Sequence, residues 1–167
     1  MTRLRYLALG FLAAALVATQ PLRAATVTTN LSVTVTIAAM AKLSLSSSTV
    51  SFANADPDTT PSIPATEGAL TVTAKGKTAT GSPITLTVLA AGDLRSGADA
   101  IPITNLTWTA TGAGFTAGTM STSTAQTVGA WTGSGSRVGT QTYTLANSWS
   151  YPTGSYSTTA TYTLTAP

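Results

Sequence analysis

The last fourteen residues, Gly154 to Pro167, restrict the fold more than any other stretch. Even positions read Tyr156, Thr158, Ala160, Tyr162, Leu164 and Ala166, and the odd positions from Ser155 to Thr165 are all Ser or Thr. A period of two over a dozen residues specifies a strand with one apolar face and one hydroxyl-lined face. Tyr and Thr both suit a pleated, half-buried surface. Pro152-Thr-Gly154 supplies the turn ahead of it. Such a strand needs a sheet to join and a second layer to cover its apolar face.

The opposite end carries a matching ribbon. From Ala25 to Ile37, Val27, Leu31, Val33, Val35 and Ile37 hold odd positions, with Thr29 breaking the row. Polar residues fill the even positions from Thr26 to Thr36. Four consecutive apolar odd positions are too many for a frayed tail. This strand must find a partner, in its own molecule or in another.

Ahead of the ribbon, Arg3 and Arg5 precede the short apolar run Tyr6 to Ala18, and small residues follow up to Ala24 and Ala25. This is the layout of a secretory signal peptide over residues 1–24. A membrane anchor is the competing interpretation, but the run is shorter than the ~20 residues a spanning helix needs. Removing Arg3, Arg5 and Arg23 removes the whole formal charge of +3. The remainder balances Lys42, Lys75, Lys77, Arg95 and Arg137 against Asp56, Asp58, Glu67, Asp93 and Asp99. Net neutrality gives no support for a nucleic-acid partner or an anionic membrane surface.

Between the two ribbons, short alternating segments recur without a convincing helix. They are expected at Lys42 to Phe52 (with a change of phase), Ala69 to Lys75, Ile84 to Ala90, Ile101 to Thr111, Thr127 to Thr132 and Thr140 to Leu145. Loops are expected at Asn54 to Pro64, Gly76 to Ser82, Gly92 to Gly97 and Gly112 to Thr124. Seven or eight strands at this spacing predict an all-β fold, an immunoglobulin-like antiparallel β-sandwich over residues 39–167. A closed barrel is the alternative; irregular spacing and missing aromatic girdles speak against an outer-membrane barrel. The sequence has no Cys, so an exported chain here must cohere without disulfides.

The chemistry on offer is sparse. Without His or Cys, imidazole acid–base work, Ser-His-Asp and Cys-His nucleophiles and the usual zinc sites are excluded. The five acids sit beside turn residues, which points to no enzyme and no cofactor. Asn54-Ala-Asp56-Pro-Asp58 alternates oxygen ligands but lacks the Gly and terminal Glu of an EF-hand loop, and reads as a hydrated Pro-rich loop. Trp149 and Tyr151 could stack on a sugar. Trp108 and Tyr162 are expected in the core, and Tyr156 in a tyrosine-corner contact near a strand start.

Neither Thr28 to Ile37 nor Ser155 to Thr165 contains a charge or a proline, the usual protections of an edge strand. The signal peptide, the row Leu31-Ser-Val33-Thr-Val35-Thr-Ile37 directly after it, and a terminal strand opening on Gly154 together resemble an exported fimbrial subunit of the chaperone–usher kind. The resemblance is to the alpha (CFA-type) or archaic, spore-coat-U-like branches. It implies a donor strand carrying Leu31, Val33, Val35 and Ile37, and a receiving edge marked by Gly154, Tyr156, Tyr162 and Leu164. Its implied partners are further copies of the chain, head to tail, and a periplasmic chaperone; its implied destination is the cell surface. Two departures stand: Ala166 occupies the penultimate position where the family often has an aromatic, and the donor row lacks Gly. The competing function is a self-contained secreted sandwich that binds carbohydrate through Trp149 and Tyr151.

Overall fold

The computed structural model describes residues 23–167, so the expected signal sequence lies almost wholly outside the described residues. The chain divides into two units, Met1–Val35 and Thr36–Pro167. In the first, residues 23–35 carry no regular secondary structure and are exposed throughout. The second is all-β and antiparallel, with one 3-10 turn, Ile103–Asn105, and no α-helix.

Ten strands are present: β1 (Met40–Leu45), β2 (Ser62–Lys77), β3 (Pro83–Ala90), β4 (Leu94–Ser96), β5 (Asp99–Ile101), β6 (Leu106–Thr111), β7 (Gly118–Thr119), β8 (Gln126–Thr132), β9 (Gly135–Ala146) and β10 (Ala160–Thr165). One sheet runs β1-β2-β9-β6-β7, a second runs β10-β3-β8, and β4-β5 form a separate hairpin. Alternation sorts the side chains. On β3, Ile84, Leu86, Val88 and Ala90 are buried, while Thr85, Thr87 and Leu89 are half-buried on the other face. On β2 and β9, Leu70, Val72, Tyr143 and Leu145 enter the same core as Leu86 and Val88. The outer face of the larger sheet is stitched by threonine pairs: Thr107 and Thr144 hydroxyls lie 2.9 Å apart, Thr111 and Thr140 hydroxyls 2.6 Å. Cross-strand pairs of this kind contribute a few tenths of a kcal/mol up to about 1 each.

Trp108 anchors the core as expected, with 2 % of its surface exposed and its Nε1–H donating to Thr116 O at 2.9 Å. Its ring lies over Gly118, where an added Cβ would sit 2.5 Å from Cζ2. Only Gly lets the two strands approach there.

Several expected boundaries moved. The stretch Gly92 to Gly97, expected as a loop, is mostly the β4-β5 hairpin, turned by Gly97 at φ 61°. The strand expected from Ile101 to Thr111 is broken by the 3-10 turn, where Asp93 Oδ1 accepts from Ile103 N at 2.9 Å. The loop expected to end at Pro64 gives way to strand at Ser62, so β2 is much longer than Ala69 to Lys75. It is continuous because a register shift between Pro64 and Ala69 sets residues 65–68 opposite Tyr143 alone, with Gly68 at φ 68°. The terminal strand is shorter than expected: only Ala160–Thr165 joins the sheet, while Tyr156 and Thr158 precede it in irregular chain. That lead-in is held by Ser157 and Arg95, which exchange backbone hydrogen bonds of 3.1 Å in both directions. Inward–outward alternation persists except at Ala160, which is exposed: Tyr156, Thr158, Tyr162, Leu164 and Ala166 are half-buried and their odd neighbours exposed.

The bulge at Glu67 does more than lengthen a strand. Ser51 donates to its carboxylate from the backbone N at 2.8 Å and from Oγ at 2.6 Å, fastening the segment after β1 to β2. Those hydrogen bonds hold the Glu67 carboxyl below its ordinary value of 4.5. A depressed carboxyl contributes stability in full above its unfolded pKa and loses it as pH falls through the folded one. Glu67→Gln should therefore flatten the acid side of the stability profile by lowering the urea midpoint slightly at about pH 6 and leaving it nearly unchanged at about pH 3.

Candidate functional site: an open groove beside the last strand

The two sheets do not close on each other along their whole length. β1 and β10, an edge strand from each sheet, run close together. Beyond them a groove of about 1180 Å³ opens. Its bed is apolar: Ile63 and Leu70 of β2, Leu106 of β6, Met120, and Tyr143 and Leu145 of β9. One wall is Leu45, Val50 and Phe52, continuing into the loop Asn54 to Pro57. The other is the lead-in to the last strand, Gly154 to Ala160, ending at Tyr162. Leu45, Val50, Phe52, Leu94 and Tyr162 pack against the core yet are only half-buried. By contrast Ile84, Leu86 and Val88, on the covered strand β3, are 0 % exposed. A strip of core along this side lacks cover.

β10 pairs with β3 and has no second partner among the described residues, so one row of its N–H and C=O groups is free. Gly154 sits at the far end of this edge against the β4-β5 hairpin, where an added Cβ would lie 2.8 Å from Ser96 Cβ. A side chain at 154 would push the wall away from the hairpin.

At the near end a polar cluster crosses between the sheets. Tyr162 of β10 donates its hydroxyl to Gln141 Oε1, and the hydroxyls of Tyr143 and Tyr162 share a hydrogen bond. Gln141 is fully buried, and its Nε2 has no acceptor. Burial raises both phenol pKa values above the usual 10, so these hydroxyls stay protonated across the physiological range. Sequence reasoning missed Gln141 and Tyr143, although the signal was present. Gln141, Tyr143 and Leu145 form one inward row of β9, so the alternation alone puts an amide inside.

The remaining candidates separate. Tyr156 donates its hydroxyl to Pro152 O at 2.9 Å, the backward reach expected of a tyrosine corner. Tyr151 accepts from Asn105 Nδ2 at 2.7 Å and packs against the core, which leaves it only partly available to a ligand. Trp149 is 71 % exposed, with Nε1–H pinned to Asp58 Oδ1 at 3.0 Å. Asp56 is occupied locally, its Oδ1 accepting from Asp58 N at 2.9 Å and its carbonyl O from Thr60 N at 2.8 Å. Among the described residues, no group of three or more acidic side chains is placed to hold a metal ion. No described helix is long and apolar enough to cross a membrane.

The apolar row of the N-terminal ribbon falls in the first unit from Val27 to Val35 and in the second at Ile37. Val27, Leu31, Val33, Val35 and Ile37 are five of the eight large hydrophobic side chains exposed among the described residues, from 92 % at Val27 to 71 % at Ile37. Residues 23–39 form no strand and pair with no ladder. No family model matches the chain, and no curated protein or solved structure matches it either.

Proposed function

We propose that the chain is an exported subunit of a surface filament, a fimbrial protein of the chaperone–usher kind, assembled by adding a strand from one copy to the groove of the next. On this reading the facing sheets are an immunoglobulin-like sandwich short of one strand. The observation that carries it is a complementary pair within one sequence. An uncharged ribbon exposes Val27, Leu31, Val33, Val35 and Ile37 to water, and an uncovered apolar groove lies beside a free strand edge. Adding a strand to a sheet edge supplies main-chain hydrogen bonds, while alternate side chains fill the pockets. Burying each of these side chains is worth about 1.5–3 kcal/mol before the cost of ordering the segment. A head-to-tail contact of this kind does not close on itself and so propagates. Until the next copy arrives, the groove needs a temporary occupant, the role of a periplasmic chaperone. Nothing in this scheme calls for catalysis or a cofactor.

The test compares the chain beginning at residue 25 with one beginning at residue 39. The longer form should make filaments visible by electron microscopy. The shorter should stay monomeric, melt at a lower temperature when the longer form is assembled, and recover on adding a peptide of residues 25–38, since a ligand that binds only the folded state stabilises it. Filaments from the shorter form, or a peptide without effect on its melting, would refute the proposal.

A second function is favoured by Trp149 alone. Its pinned but exposed ring offers a flat apolar face beside the Asp58 carboxylate, a surface suited to a sugar. Trp149→Ala should abolish retention on an immobilised glycan without shifting the melting temperature; unchanged retention dismisses this reading.

A further inference from the structure

The side-chain charges of the β domain are sorted by end. Where β1 begins and β2 finishes lie Lys42, Lys75 and Lys77, with Arg137 one rung away on β9, and all four are exposed. At the opposite end Asp56 and Asp58 occupy the loop before β2, and Asp93 and Asp99 bracket β4. Ala90 N donates to Ser121 O and Met120 N to Leu106 O, so the end of β3 lies at the Leu106–Leu145 end of the larger sheet. Glu67 sits in the bulge opposite Tyr143, nearer that same end, where Arg95 is the one cation of the β domain. We infer that the two poles are docking surfaces for each other: the basic pole of an incoming copy settles on the acidic pole of the copy already in place, and this contact sets how fast copies join. It rests on the strand-addition reading above and adds a second, ionic surface to it.

The sorting does nothing for the subunit alone. Lys42 and Lys75 are direct cross-strand partners, an arrangement of like charges that destabilises a ladder. The poles are held apart by β9, 12 residues or about 40 Å, several times the ~8 Å reach of a charge at physiological salt. Edge protection accounts for Lys42, but β2 lies between β1 and β9, so Lys75 and Lys77 guard no edge.

The poles also coincide with the two halves of the proposed junction. β1 opens at Met40, opposite Lys77, so the ribbon is rooted at the basic pole. The groove walls Asn54 to Pro57 and Gly154 to Ala160 lie at the acidic one. Residues 38 and 39 alone separate Ile37 from β1, about 10 Å of chain. A ribbon leaving the groove by its acidic mouth thus holds its own lysines about one Debye length from those acids. The basic pole is shaped to receive them. Lys42, Ser44, Thr73 and Lys75 line a hollow of about 210 Å³, offering ammonium and hydroxyl donors to a carboxylate.

Steering by complementary fields raises association rates by roughly 10–10³-fold and fades steeply with salt. Elongation of the full mature chain, followed by light scattering, should therefore slow at least about tenfold between about 20 mM and about 500 mM NaCl. Apolar burial is not screened in this way, so a junction made by the groove alone would keep its rate. Two variants sharpen the test. Lys42→Glu, Lys75→Glu and Lys77→Glu together make both poles acidic, whereas Asp56→Lys, Asp58→Lys and Asp99→Lys make both basic. At low salt each alone should elongate at least about tenfold more slowly than the unaltered chain, and their equimolar mixture should recover. Urea midpoints check that both fold. The lysine variant, whose changes leave the groove lining untouched, should still be stabilised by the peptide of residues 25–38. A rate indifferent to salt, or a mixture of folded variants no faster than its components, overturns the pole contact and leaves strand addition standing. No filaments from the unaltered chain, together with no effect of the peptide, overturns both.

Discussion

A chain carrying Val33→Asp and Val35→Asp should remain monomeric at concentrations where the unaltered protein should form the proposed filaments. The two side chains are 84 % and 79 % exposed in the free subunit, so the substitutions should leave its urea midpoint within experimental error. In the assembled state each valine is worth about 1.5–3 kcal/mol of burial, so losing both weakens each junction by roughly 10²–10⁴-fold. Burying two carboxylates without partners adds to the loss. Ser32→Asp with Thr34→Asp changes the opposite, outward-facing row and should reduce assembly far less. Equal loss from both pairs would mean that general charge, not entry of one face into a groove, governs association.

The second large effect concerns the fold. Trp108→Ala should cost about 3–5 kcal/mol, read as a fall in the urea midpoint at unchanged slope. The indole fills the space over Gly118, packs at 6.0 Å between ring centroids against Tyr143, and satisfies Thr116 O. Against a total stability of about 5–15 kcal/mol, that loss brings the subunit near unfolding. Trp108→Phe keeps most of the packing and removes the N–H, so it should fall between the two. A cost below about 1 kcal/mol for Trp108→Ala would show that Trp108 is not the keystone of this half of the core.

Much of the β architecture is legible from alternation. β3 was readable because Ile84, Leu86 and Val88 all point one way and the flanking Pro83 and Ala90–Gly92 mark its ends. β9 was readable from Thr140 onward, but its first residues, Gly135 to Gly139, carry no apolar row and join the sheet through backbone pairing with β2. The hairpin β4-β5 was hidden for the same reason: two three-residue strands show no period, and a two-residue turn at Gly97-Ala98 looks like any polar loop. At the C-terminus the period held, but the ladder did not. Tyr156 and Thr158 keep their inward phase, while the backbone of Ser157 between them pairs with Arg95 and Thr158 Oγ1 donates to Gly92 O at 2.9 Å.

The groove was legible only at its rim. Gly154, Tyr156 and Tyr162 come from one alternating run (Leu164, further along it, does not line the groove), whereas its bed is gathered from β2, β6 and β9 by long-range pairing that no local window contains. The N-terminal ribbon shows the complementary limit. Its sequence specifies a strand, yet a strand is a relation between two segments, and residues 23–39 have no partner among the described residues. Uncharged alternation at a chain end thus says that a second edge is required and says nothing about whose edge it is.

Amide hydrogen exchange on the ribbon, followed by mass spectrometry in the free subunit and in assembled material, tests the central claim most directly. Backbone amides from Thr28 to Ile37 should exchange at the rate of unstructured chain in the free subunit. In the assembled material they should be protected as strongly as those of β3. Fast exchange of the ribbon in both states would contradict the account, and so would full protection already present in the dilute monomer.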